Sequence, residues 1–113
     1  MLRVENKRHS PRVRLKTPLH YQLRGRQEFE NVVSDDISEG GLSFVGNRFI
    51  PSSTLLMLEI NVLSRILRPI GRIAWSSPIP HSDRNRLGVE FVEVAPNEKH
   101  YLSDYVKMQL GQL

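Results

Sequence analysis

Two stretches of this chain carry residues whose types and spacing could do chemistry. The first is Arg8-His9-Ser10-Pro11-Arg12, an R-x-x-x-R pair. Pro11 disfavours the helical region for Ser10, so Arg8 and Arg12 are expected on a non-helical arm that can wrap a ligand. Each guanidinium is a planar, permanently charged fork that grips anions and stacks on flat rings. The second stretch is Asp36-Ile37-Ser38-Glu39-Gly40-Gly41, a D-x-S-x-x-G just before a short apolar run. Taken locally it reads as a tight turn. Asp and Ser hydrogen-bond their own backbone there, and Gly tolerates positive φ. Another R-x-x-x-R, Arg68 to Arg72, falls inside a strand signal and reads as two solvated side chains.

Other chemistry finds no residues to carry it. The histidines, His9, His20, His81 and His100, are too far apart for an H-x-H or H-x-x-x-H metal grip. The chain has no G-x-S-x-G elbow and no G-x-x-x-x-G-K-[ST] phosphate loop. With no cysteine it has no disulfide framework, no Cys-based zinc site and no Cys nucleophile. Asp35 and Asp36 are neighbours in a strand signal, where alternation predicts opposite faces and no shared proton. The expectation is a binding protein, not an enzyme, with no metal and no resident cofactor.

Charge is unevenly spread. Residues 1–26 hold eight Lys and Arg against one Glu, 8 − 1 = +7, and residues 27–113 hold eight bases against eleven acids, 8 − 11 = −3. A basic leader ahead of a mildly acidic body predicts an anionic partner near the N-terminus: a nucleotide, a nucleic acid or an acidic membrane surface. The first residues, MLRVENKRHS, contain no apolar signal region, and no apolar run approaches the roughly 18 residues of a membrane span. A cytoplasmic protein without membrane insertion is expected.

The elements that must position these residues are short. Prolines and glycines punctuate the chain at close intervals, the pattern of many brief strands. Strands are predicted over 14–23 and 28–35, joined by Arg24-Gly25-Arg26, then over 41–45, 53–61, 65–76 and 86–92. Leu56, Leu58 and Ile60 share one face, as do Leu87, Val89 and Phe91. Pro69 demands an edge position or a bulge. After Pro96 the period changes: Leu102, Tyr105, Val106 and Leu110 line one face of a C-terminal helix, about 97–110, with Asn97 as its cap. The prediction is a mainly β chain, a small six-stranded antiparallel β-barrel or closed sandwich, with one helix over an end.

Taken as an ordered pair, the arm and the acid–hydroxyl–glycine stretch resemble the PilZ domain, a family of receptors for the bacterial second messenger cyclic di-GMP. The likeness runs along the whole chain, through Trp75, the Gly88-to-Phe91 run and the terminal helix. It implies a split six-stranded barrel with a C-terminal helix, divided into a basic arm, 1–13, and a barrel, 14–113. It also implies a ligand site made of Lys7, Arg8, Arg12, Asp36, Ser38, Gly40, Gly41 and Trp75. Arginine suits both the phosphates and the guanines of that ligand, and a carboxylate suits the donors on guanine's Watson–Crick edge. Gly40 and Gly41 would let backbone approach the ligand closely. Lys7 stands where many members carry another arginine, so both one and two bound ligands remain open. Trp75 has two readings, a core side chain beside Ile73 or a contact to the ligand.

The resemblance implies a stand-alone adaptor, monomeric or weakly dimeric. Its arm would change conformation on binding and so regulate a protein partner in motility, exopolysaccharide or biofilm output. Two other readings compete. One is a small basic barrel that binds nucleic acid, which needs exposed aromatics for base stacking, whereas most aromatics here fall on apolar faces. The other is a PilZ-like interaction module without ligand.

Overall fold

The computed structural model describes residues 10–112. Lys7 and Arg8 lie outside the described residues. In chain order the elements are β1 (Val13–Arg14), β2 (Pro18–Leu23), β3 (Glu30–Ser38), β4 (Gly41–Gly46), β5 (Leu55–Val62), β6 (Arg65–Leu67), β7 (Ile70–Pro78), β8 (Asn85–Glu93) and α1 (Pro96–Gln109). Six strands run in the order β3-β2-β5-β7-β8-β4, and β4 pairs back onto β3 to close an antiparallel barrel.

The remaining two strands are short additions. β1 continues the edge of β3 beyond β2, through Val13 opposite Ile37 and Arg14 opposite Asp36. β6 folds back on β5, next to β7 on the same edge. Two strands expected to be continuous are therefore broken. The 14–23 segment leaves the ladder over residues 15–17, yet stays bonded to β3 through Leu15 N–H to the Asp35 carbonyl at 3.1 Å and Ser34 N–H to the Thr17 carbonyl at 2.9 Å. The 65–76 segment is broken at Pro69, which lies between β6 and β7, not within an edge strand. A proline has no N–H to give a ladder, but its carbonyl accepts from Leu58 at 3.1 Å. Val13, expected in the arm, is a strand residue packed into the core.

Alternation supplies the core. Leu56, Leu58, Ile60 and Val62 point inward from β5 and meet Leu19, Tyr21, Ile37, Leu42, Phe44, Ile73, Leu87 and Val89 from the other strands. Burying each large side chain contributes about 1.5–3 kcal/mol. Tyr21 and Phe44 pack with ring centroids 5.2 Å apart, and His20 faces out where Tyr21 faces in. Leu102, Tyr105 and Val106 of α1 are buried, but Leu110 stands beyond the last turn and is exposed. The cap is Ala95 followed by Pro96, not Asn97. Proline suits that first helical position because its missing N–H has no partner there in any case. Tyr101 fastens the helix to β5 by donating to the Val62 carbonyl at 2.9 Å. No helix among the described residues is long and apolar enough to cross a membrane.

Candidate functional site

Arg12, the described end of the first stretch, meets the second stretch on the outer surface of the barrel. Arg12 precedes β1, and the pairing of β1 with β3 carries it alongside Asp36. Its Nη1 donates to Asp36 Oδ1 at 2.8 Å. Ser43 of β4 donates to the same oxygen at 2.9 Å. Ser43 is a buried polar residue that no sequence signal singled out. It sits opposite Asp36 in the β3–β4 ladder, a neighbour set by strand pairing.

A bulge places both acids on this surface. The β3–β4 register passes from Ser34 opposite Phe44 to Asp36 opposite Ser43, leaving Asp35 as an extra residue. Ser34 and Ile37 face inward, so Asp35 and Asp36 both face outward, contrary to strict alternation. The two do not share partners. Asp35 accepts from Lys16 at 2.9 Å and from Arg86 across on β8, with Arg14 at 3.8 Å. Hydrogen bonds from Lys16 and then Arg86 hold its carboxyl below the usual carboxylate range, against a smaller opposing effect of burial. The folded pKa therefore lies under the unfolded value of about 3.9. The ionised pairing stabilises the fold above that value and fades as pH falls through the folded pKa. In urea unfolding, wild type is expected to exceed Asp35→Asn at neutral pH, with the gap closing well below pH ~4. A gap independent of pH would contradict this account.

Ser38 is nearly buried, at 3% exposure. Its hydroxyl accepts from the Gly40 N–H at 3.2 Å and lies 3.4 Å from the Gly41 carbonyl, to which it donates. The serine part of the local turn reading is thus realised, whereas Asp36 bonds the side chains of Arg12 and Ser43 and neither Gly40 nor Gly41 has a positive φ. The two glycines differ. Gly40 is exposed with open space where a Cβ would stand, and its carbonyl accepts from Phe91 N–H at 2.9 Å. Gly41 is buried, and a Cβ there would lie 2.0 Å from the Val89 carbonyl oxygen. Its lack of a side chain makes room for β8.

Trp75 faces outward. Between Ile73, opposite Val89, and Trp75, opposite Gly88, β7 carries a second bulge at Ala74. It sends Ile73 into the core and leaves Trp75 42% exposed, so the core reading fails. Arg12, Ser38, Gly40, Trp75, Gly88 and Glu90 line one concavity of about 290 Å³. Glu90 is held by Arg72 at 2.7 Å, so Arg72 is paired, as is Arg68 with Glu59 at 3.4 Å. A larger hollow of about 550 Å³ borders Lys16, Asp35 and Arg84, but it holds no aromatic ring and neither end of the two motifs. Among the described residues no group of His, Asp and Glu is placed to hold a metal ion.

Comparison with known proteins places the chain in a family. A family model described as PilZ domain matches residues 6–108. In structure the chain is similar to the inhibitor of motility MotI (DgrA) of Bacillus subtilis, with a TM-score of 0.80 and 21% identity over 99% of this chain and 54% of that one. It therefore spans about half the length of that protein. It is also similar to the PilZ domain of YcgR from Escherichia coli with c-di-GMP, at 0.71 and 14% identity, covering 94% of this chain and 93% of that one. A third likeness is PlzA of Borreliella burgdorferi in complex with c-di-GMP, at 0.62 and 15% identity over 95% and 54% of the two chains. No curated protein sequence matches.

Proposed function

The chain belongs to the PilZ domain family, and from that membership we propose that it is a receptor for cyclic di-GMP. The observation that carries the reading is that Arg12, itself paired with Asp36, lines one outward concavity together with Trp75. Two of its structural neighbours, YcgR and PlzA, were solved with that ligand. In this proposal Arg12 grips a phosphate or the guanine O6/N7 edge. Asp36 accepts from guanine donors, and Trp75 supplies an aromatic surface. The backbone at Gly40 lies open to the ligand, and Ser38 shapes the turn beneath it. Lys7 and Arg8 complete the cationic side of the site.

Binding has a conformational consequence. Arg12 is already engaged by Asp36 at 2.8 Å through Nη1 alone, so a phosphate taken by its remaining N–H donors turns the guanidinium about that bond. The movement alters the surface around β1 and signals to a protein partner, in the manner of other electrostatic switches. NMR of the Arg12 guanidinium tests this: ligand is expected to shift and broaden its signals, and signals unchanged at saturation would exclude the switch.

Calorimetry decides the ligand. Saturable heat is expected with cyclic di-GMP, little with GTP, and weak, salt-sensitive binding to a short DNA. The molar ratio at saturation reports whether one or two molecules bind. Absence of saturable binding to the cyclic dinucleotide would overturn the proposal, and tight binding to the DNA at physiological salt would favour the nucleic-acid reading.

A further inference from the structure

We propose that Gly88 is a positioning residue for the ligand, because it forms the seat that fixes the Trp75 indole at the site. This rests on the cyclic di-GMP reading above. The bulge at Ala74 sets Trp75 directly opposite Gly88 in the β7–β8 ladder. A Cβ built on Gly88 would lie 2.3 Å from both Cε2 and Nε1 of Trp75 and 2.7 Å from Cζ2. That edge of the indole therefore occupies the space of a side chain that β8 does not have. An aromatic ring covering a strand glycine is a recognised way to fill such a gap. Trp75 is nevertheless 42% exposed and borders the concavity with Arg12 and Glu90.

An indole free to swing loses rotamer freedom when a base stacks on it. A seated one has lost that freedom during folding, so less of the stacking energy is spent on ordering. A methyl group at Gly88 cannot coexist with the seated ring, since a 2.3 Å approach is far inside van der Waals contact. The indole must leave its place, and the platform goes with it. Gly71 provides a contrast on the same barrel wall. Its added Cβ would meet Val89 Cγ1 at 2.5 Å, Leu58 Cδ1 at 3.1 Å and the Glu90 carbonyl oxygen at 3.3 Å, so its nearest neighbours are core side chains and backbone and not the indole.

Trp75 is the only tryptophan, so its optical signals report on this seat alone. The test compares wild type with Gly88→Ala, Trp75→Ala, the double variant and Gly71→Ala. Near-UV circular dichroism and acrylamide quenching are read without ligand, and calorimetry is read with cyclic di-GMP. Wild-type Trp75 is expected to show a fixed near-UV band and slower quenching than free N-acetyltryptophanamide. In Gly88→Ala the band is lost, quenching rises to that of the free indole, and affinity falls about tenfold or more, the scale of one lost base–aromatic stack. Trp75→Ala loses a similar factor, and the double variant binds no more weakly than Trp75→Ala alone. Gly71→Ala melts at a lower temperature with the Trp75 signals and the affinity retained.

A Gly88→Ala protein with unchanged Trp75 signals overturns the proposal, as does an equal loss of affinity when the change is made in the Trp75→Ala background. If Gly88→Ala does not fold, wild-type quenching decides: hindered quenching supports the seat, and quenching equal to the free indole refutes it. If wild type fails to bind the dinucleotide, the receptor reading falls, while the ligand-free signals still judge the seat.

Discussion

Arg12→Ala is expected to weaken cyclic di-GMP binding by about 2–5 kcal/mol, roughly 30- to 5,000-fold, the range for removing one partner of a desolvated charged contact. Two effects add. The ligand loses a bidentate charged donor, and Asp36 loses the cation that sits 2.8 Å from its Oδ1. Among the described residues, what remains on that oxygen is the Ser43 hydroxyl, a neutral donor, so a carboxylate without its paired cation then faces a doubly charged ligand. Stability should hardly move, because the Arg12 and Asp36 side chains are 47% and 32% exposed and such surface pairs contribute about 0–1 kcal/mol. Arg12→Lys should fall between, keeping the charge and losing the fork. Calorimetry alongside thermal melting separates the two quantities. An affinity loss below about 0.5 kcal/mol would remove Arg12 from the site.

Gly41→Ala should do the opposite and strike folding. Its new methyl would be 2.0 Å from the Val89 carbonyl oxygen and 3.1 Å from the carbonyl carbon. Both belong to backbone, which cannot rotate aside as a flexible side chain can. Gly41 is opposite Glu90 in the β4–β8 ladder, so the two strands must part at the turn that the Ser38 hydroxyl holds. Overpacking usually costs about 1–3 kcal/mol, and a clash between two main chains belongs at or above the top of that range. Gly40→Ala, with open space around it, should stay within about 0.5 kcal/mol of wild type in urea unfolding. A Gly41→Ala protein as stable as wild type would show that β4 and β8 separate freely there.

These contrasts mark where sequence reasoning reached and where it stopped. Strand periodicity put Leu56, Leu58 and Ile60 on one face, which is the buried one, because regular ladders obey a period of two. The terminal helix and its Leu102, Tyr105 and Val106 face followed from the change of period after Pro96. Face assignments broke at Asp35 and Ala74, where one strand carries a residue more than its partner. A bulge is a property of two strands jointly, so neither strand alone announces it. Its effects were large here: Asp36 and Asp35 share a face, and Trp75 leaves the face of Ile73. Arg12 and Asp36 were legible as partners through their motif, while Ser43 and Gly88 were not. Their roles exist only across the ladder, opposite Asp36 and Trp75.

Barrel closure also restricts how another protein can recognise this one. Every barrel strand has a neighbour on both sides over at least part of its length, and the added strands β1 and β6 are only two and three residues long among the described residues. Open edges this short and interrupted are a poor template for a visiting polypeptide to extend the sheet. Recognition must then be written in side chains on the curved wall, where swapping single surface residues can redirect the choice of companion without disturbing the architecture beneath.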